Sequence, residues 1–230
     1  MQYGEIVQGY FKKRLNRFMA EVYIKDHLEK VHIKNTGRLK ELLLPEAKVY
    51  LEKSRNPLRK TAYSLIAVEN NSRMINIDSQ APNAVVCEAL QAGKIQEFPI
   101  CTSMKREYTF GHSRFDIYFE TEQAKVLMEV KGVTLEEHGI AKFPDAPTAR
   151  GTKHIHELMM ASKAGYTAVM MFVVQMKGCY LFQPHFKIDR KFSEALVKAT
   201  EEGVRVLAYD TIVTENGMTL DQPLPISLEE

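Results

Sequence analysis

The sequence predicts a mixed α/β protein, with a small N-terminal β-barrel followed by an α/β domain built on a central mixed sheet. Three observations predict it. The first 80 of the 230 residues contain short strand-like runs and one short helical candidate. A polar stretch from Asp78 to Asn83, with Pro82, breaks that pattern. From Ala84 onward helix-like and strand-like segments alternate, the order of an α/β sheet. The domains are therefore placed at 1–83 and 84–230, each long enough to bury a core of its own. No flexible linker separates them, so rigid packing of one on the other is expected.

In the first domain Ile6-Val7 leads toward Tyr10-Phe11, and Phe18 to Ile24 alternates apolar with polar. Val31 to Ile33 follows a polar turn, and Lys48 to Glu52 and Thr61 to Val68 complete the strands. Asn35-Thr36-Gly37 punctuates the middle, and Arg38 to Leu44 reads as a short helical turn. About five strands with one short helix suit a closed barrel such as an OB-fold. Lys12, Lys13, Arg14, Arg17, Arg38, Arg55, Arg59 and Lys60 fall at strand ends and in loops, interleaved with Tyr and Phe. That pattern suits contact with a phosphate backbone and stacking of bases, although Phe11 and Tyr63 taken singly also fit a barrel core.

In the second domain Ala84 to Ala92 reads as a helix stopped by Gly93. Ile95 to Cys101 and Glu107 to Phe110 read as strands, and Thr134 to Thr148 as a long loop. A helix from Ala149 to Ala164 ends at Gly165, with Arg150, Lys153, His154 and Glu157 on its outward side. Tyr166 to Val174 is a continuous apolar run, the mark of a buried central strand. A helix from Phe192 to Glu202, a strand from Val204 to Tyr209 and an acidic, Pro-containing tail complete the chain.

Composition excludes several classes. A hydrophobic content of 45% and a charged content of 26% are those of an ordinary globular protein. No apolar run spans a bilayer and no signal peptide is evident, so no membrane association is expected. Cys87, Cys101 and Cys179 have neither disulfide nor zinc spacing, which suits a reducing cytoplasm. The net charge of +2 conceals an asymmetry: residues 1–83 carry 15 Lys/Arg against 9 Asp/Glu, and residues 84–230 carry 16 against 20. A basic barrel beside an acidic cluster suits a polyanion held next to a metal.

That cluster lies in the stretch from Gly111 to Lys131, two alternating segments joined by a short polar turn. Asp116 is in the first arm, and Glu129 and Lys131, two apart in the second, share a face. A hairpin can bring Asp116 opposite that pair. Two carboxylates and an ammonium suit a hard divalent cation beside a lysine that orients water. The same residues also suit a solvated face with an ion pair. No GxGxxG, GxxxxGK[ST] or GxSxG is present to support a small-molecule phosphate-handling enzyme.

Asp116 on one strand and Glu129-Val130-Lys131 on the next resemble the PD-(D/E)xK nuclease core. More particular are Asn35-Thr36-Gly37, Ser113-Arg114-Phe115-Asp116, Glu129 to Leu135, and Phe143-Pro144-Asp145-Ala146 through Arg150-Gly151-Thr152-Lys153-His154. Over essentially its whole length the chain resembles the sugar fermentation stimulation protein A family. The resemblance implies an N-terminal OB-fold, a C-terminal nuclease-like domain and DNA binding. It implies Asp116, Glu129 and the Val130 carbonyl as ligands of Mg2+ or Mn2+, with Glu88 as a further acid, and Lys131 as the catalytic lysine. Arg150, Lys153 and His154 would contact the scissile phosphate. Two functions are compatible: a metal-dependent DNA or RNA phosphodiesterase, and a non-catalytic, largely sequence-independent DNA-binding regulator of sugar-utilisation genes.

Overall fold

The computed structural model describes residues 1–229. Strands β1 (Ile6–Arg14), β2 (Met19–Ile24), β3 (His27–Ile33), β4 (Lys48–Lys53), β5 (Tyr63–Asn70) and β6 (Arg73–Asn76) form one sheet in the order β3-β2-β1-β4-β5-β6. A further parallel pairing of β3 with β5 closes the first five into a barrel, which is the OB-fold. Closure removes the sheet edges and turns one side of every strand inward. Ala20, Val22, Ile24, Val31, Ile33, Val49, Leu51 and Leu65 fill the interior. Arg38 to Leu44 forms the expected single helical turn: Leu42 and Leu43 donate backbone N–H groups to Leu39 O, and all three leucines are buried against the barrel core.

The second domain has α1 (Ala81–Gln91), β7 (Ser103–Phe110), β8 (Ser113–Glu120), β9 (Lys125–Val133), β10 (Leu135–Glu137) and β11 (Ile140–Phe143). It continues through α2 (Ala149–Lys163), β12 (Thr167–Val174), β13 (Leu181–Pro184), α3 (Arg190–Glu201), β14 (Arg205–Thr214) and β15 (Gly217–Pro223). Its main sheet has the order β15-β14-β12-β9-β8-β7, parallel across β9, β12 and β14 and antiparallel at both flanks. The parallel centre is covered on both faces, which explains the unbroken apolar run of β12. Val85, Val86 and Leu90 of α1 pack with Ile117, Met128 and Val130 on one face. Ile155 and Leu158 of α2 and Phe192 and Leu196 of α3 pack with Leu127, Met170 and Phe172 on the other.

Four segments differ from the sequence expectation. The first helix begins at Ala81, because Pro82 suits the opening turn, where no intrahelical N–H donor is required. Ile95 to Cys101 contains turns and no strand; Ile95 and Phe98 are buried as isolated anchors. Thr134 to Thr148 is no structureless loop, since β10 and β11 pair within it and β11 runs parallel to β13. The acidic tail supplies β15, paired antiparallel with β14.

The two domains are joined by polar contacts and shared core. Gln175, buried just after β12, donates Nε2 to Asn76 Oδ1 at 3.0 Å and to Asp78 O at 3.2 Å, while Asn76 N reaches Gln175 O at 3.0 Å. Asp78 also accepts Lys34 Nζ at 3.1 Å and the Gln80 N–H at 2.9 Å. Residues at the very N-terminus cross over: Tyr3 N donates to Asn216 O at 2.8 Å and the terminal ammonium to Met218 O at 2.6 Å. Cys87, Cys101 and Cys179 are all free thiols. Among the described residues no helix is long and apolar enough to cross a membrane.

Candidate metal centre and nucleic-acid cleft

The β8–β9 ladder pairs Glu120 with Lys125 and proceeds as far as Ile117 with Met128. Beyond that pair β8 changes face within three residues. Phe115 joins the core under α2, whereas Ile117 joins the core under α1. Asp116, at the change, accepts the Val130 N–H at 2.9 Å on Oδ2 and Asn83 Nδ2 at 2.8 Å on Oδ1. Asn83 lies in the first turn of α1, and sequence reasoning missed it, because an isolated Asn after Pro82 reads as a boundary residue.

Glu129 is 2% exposed. An ion moved to such a place loses several kcal/mol of hydration unless partners replace it (roughly, after relaxation). Its Oε1 accepts Lys131 Nζ at 2.6 Å and is hydrogen-bonded to His154 Nδ1. Its Oε2 is buried with no hydrogen-bond partner. Burial pushes the Glu129 carboxyl up, but the His154 hydrogen bond and the Lys131 charge outweigh it and hold the group below the usual carboxylate range. Asp116 goes the other way: burial and then the Glu129 charge raise it, only partly offset by its two hydrogen bonds and Lys131.

The structure brings Asp116, Glu129, Val130, Lys131 and Arg150 into one cleft, with Arg17, Asn35, Thr36 and Gly37 of the barrel on its wall. His154 is buried and faces inward, so it is not on an outward helix side: it fixes Glu129, and Arg150 Nε stands 3.5 Å from its other ring nitrogen. Glu157, expected on the same side, is buried as well. Thr148 caps α2 by accepting the Gly151 N–H at 3.1 Å, which sets the helix start and hence the Arg150 and His154 positions. Gly132 is required by space, since a Cβ there would stand 2.3 Å from Gln175 Oε1 and 2.9 Å from Pro82 Cγ. A lone Gln after seven buried apolar or small residues was the available signal for Gln175.

Other expected residues have different partners. Glu88 binds the terminal ammonium at 2.6 Å and does not line the cleft; Asn83, five residues earlier, is the α1 residue that meets Asp116. Arg14 is a staple of the barrel loops: its guanidinium donates to the carbonyls of Asn16, Gly37, Arg38, Arg17 and Asn35 at 2.6 to 3.1 Å. Its donors are therefore committed to the protein's own backbone rather than to phosphate. Lys153 reaches His112 O at 3.5 Å, outside the cleft. Arg55, Arg59 and Lys60 sit between β4 and β5, and Arg59 donates to Ser64 Oγ at 3.0 Å and Thr61 Oγ1 at 3.3 Å. Lys12, Lys13, Arg17 and Arg38 line a second groove on the barrel, with Lys40. Lys12 and Lys13 stand 3.6 and 3.7 Å from a half-buried Glu21, long ion pairs that either lysine can leave for another anion.

The donor set fits a hard divalent cation. Glu129 Oε2 is an orphaned buried anion oxygen, and Asp116 is a second carboxylate whose charge is disfavoured by its surroundings. Among the described residues no three His, Cys, Asp or Glu side chains make a self-sufficient metal cage. A partial protein set completed by water and substrate oxygens is the usual arrangement for Mg2+.

Two family models divide the chain. The SfsA N-terminal OB domain matches residues 13–77, and the Sugar fermentation stimulation protein RE domain matches residues 80–217. The Sugar fermentation stimulation protein homolog of Alkaliphilus oremlandii is 51% identical over 231 residues, covering 98% of each chain. That of Desulfitobacterium hafniense (strain Y51) is 47% identical over 230 residues, covering 100% of each. The solved structure of Pyrococcus furiosus SfsA in complex with Ca2+ superposes with a TM-score of 0.91 at 29% identity, covering 99% of this chain and 98% of that one.

Proposed function

This chain belongs to the sugar fermentation stimulation protein family, and we propose that it is a nucleic-acid-binding protein that hydrolyses phosphodiester bonds with a divalent cation. The observation that carries this is the orphaned Glu129 Oε2, buried beside Asp116 and Lys131. A buried anion oxygen without a donor is costly, and a cation removes the cost. The Ca2+ in the Pyrococcus furiosus structure supports a divalent ion. Mg2+ or Mn2+ in this place would neutralise charge developing on the phosphate and lower the pKa of a bound water.

The chain's own residues do the rest. Asp116 and Glu129, with the Val130 carbonyl, would hold the cation, and His154 keeps Glu129 in position. Lys131 orients the attacking water or stabilises the charge gathering on the phosphate. Arg150, on the cleft wall, pairs with the phosphate, and the barrel groove holds the flanking backbone electrostatically without reading sequence. The test is incubation with single-stranded DNA, duplex DNA and RNA in Mn2+ and in chelator. Cleavage that chelator abolishes is expected; none on any substrate would refute hydrolysis.

A second function has its own observation. Glu129 Oε1 already has both Lys131 and His154, a network that holds together without a metal. That favours a DNA-binding regulator of sugar-utilisation genes in which the site is structural. Binding to duplex DNA with no turnover in any divalent ion would support it.

A further inference from the structure

The two domains touch across the cleft. A Cβ added at Gly37, on the barrel, would lie 2.8 Å from Asp145 Oδ2 on the segment leading into α2. Both residues line the cleft that contains Asp116 and Glu129. Each rim is held. Arg14 grips the carbonyls of Asn35, Gly37 and Arg38, and the Gly37 N–H donates to Asn35 Oδ1 at 2.7 Å. Opposite, the Thr148 N–H donates to Asp189 Oδ2 at 2.7 Å and anchors the end of the Asp145 segment. Glu129, at 2% exposure, lines the same cleft.

We propose that the nucleic acid taken by this cleft is single-stranded, with its backbone running from the barrel groove past Arg17 and beneath the Gly37–Asp145 contact to the carboxylates. The location of the carboxylates as the destination rests on the phosphodiesterase proposal; the strand preference does not. Arg17, Thr36 and Gly37 line both the barrel groove and the cleft, so the two are continuous. No partner holds the Arg17 guanidinium among the described residues, and its position at the junction suits a phosphate passing from one to the other. Leu15 at 40% and Phe18 at 49% exposure flank it in sequence and offer apolar surface to unstacked bases. A duplex is stiff over lengths far greater than the cleft, with a persistence length of about 50 nm, and its base faces are stacked away. It cannot bend a phosphate down to a carboxylate as recessed as Glu129, which is 2% exposed. A single strand can, and its bases remain free to stack.

The experiment uses the full chain and a short fluorescein-labelled DNA strand, alone and as its blunt duplex. Affinity is measured by anisotropy in Ca2+ at one salt concentration, and cleavage in Mn2+ is followed on both and on a duplex with a single-stranded overhang. Single-strand binding tighter by about 10-fold or more, the weight of one or two stacked bases, is expected, with cleavage confined to single-stranded segments. Duplex bound as tightly and cut internally would overturn the strand preference and leave hydrolysis standing. Preferential single-strand binding with no cleavage in Mn2+ would sustain the strand preference and refute hydrolysis.

Discussion

Lys131 Nζ lies 2.6 Å from Glu129 Oε1, and the other oxygen of that carboxylate is buried without a partner. The two side chains share a strand face because they are two residues apart. One oxygen is satisfied and one is free, which leaves room for a cation without removing the lysine. The two carboxylates are also pushed in opposite directions, Glu129 below and Asp116 above the ordinary range. Such divergence is a mark of assigned roles in catalytic pairs.

Asp116→Asn should abolish divalent-ion binding and cleavage while preserving the fold. Because its carboxyl is raised by burial and by Glu129, its ionised form opposes folding: stability of the metal-free protein falls as pH climbs from the unfolded value of 3.8 through the higher folded one. At neutral pH the variant escapes that penalty, so its Tm should equal or exceed the wild type. Unchanged Mn2+ titration, or a large loss of Tm, would reject the metal-ligand role.

His154→Ala removes one of two groups that hold Glu129 Oε1. Loss of a group that orients a metal ligand typically lowers metal affinity about 10- to 100-fold. Calorimetric titration with Mn2+ checks this, and equal affinity in the variant would make His154 a packing residue only.

Arg14 and Arg17 should behave differently although they are three residues apart. Arg14→Ala leaves several loop carbonyls without their charged donor, and should cost about 1.5–3 kcal/mol of stability, read from denaturant unfolding. Arg17→Ala should leave stability alone and reduce the salt slope of nucleic-acid binding by about one. Similar unfolding midpoints for the two variants would remove the staple role from Arg14.

His185 supplies a pH dependence away from the site. It is buried with Nδ1 unpartnered, and burial lowers its pKa from the ordinary 6.5, against the opposing charge of Glu137. The unfolded chain therefore takes up a proton first as pH falls. The stability from keeping His185 neutral is complete above 6.5 and is lost as pH falls through the lower folded value. A series of Tm values between neutral and mildly acidic pH should show a shallower fall for His185→Gln, with the remainder carried partly by His32, which is lowered likewise. Parallel curves would contradict it.

Much of this was legible in the sequence because periodicity reports burial. The barrel strands, the apolar β12 and α3 carry the alternation or run that their packing requires, whereas β8 changes face and α2 turns His154 and Glu157 inward. That Asp116, Glu129 and Lys131 come together was legible because charges in strands demand an explanation. Glu88 was not correctly placed, because a helix position says nothing about rotation against the sheet, and Asn83 faces the site instead. Arg14 was read as a phosphate contact because a basic residue looks the same in sequence whether it meets water or five carbonyls. The β10–β11–β13 sheet escaped notice because its strands are three or four residues long and polar at the edges.

The central claim, that Asp116, Glu129 and Lys131 form a working phosphodiesterase centre, is tested most directly by single-turnover cleavage at saturating protein. Wild type and Lys131→Met are compared in Mn2+, with binding measured separately in Ca2+. A lysine acting on the transition state contributes about 10²–10⁴-fold to rate and little to affinity. We expect a loss of that size in turnover with binding nearly unchanged. Equal cleavage by the two proteins, or no metal-dependent cleavage by the wild type, would contradict the claim.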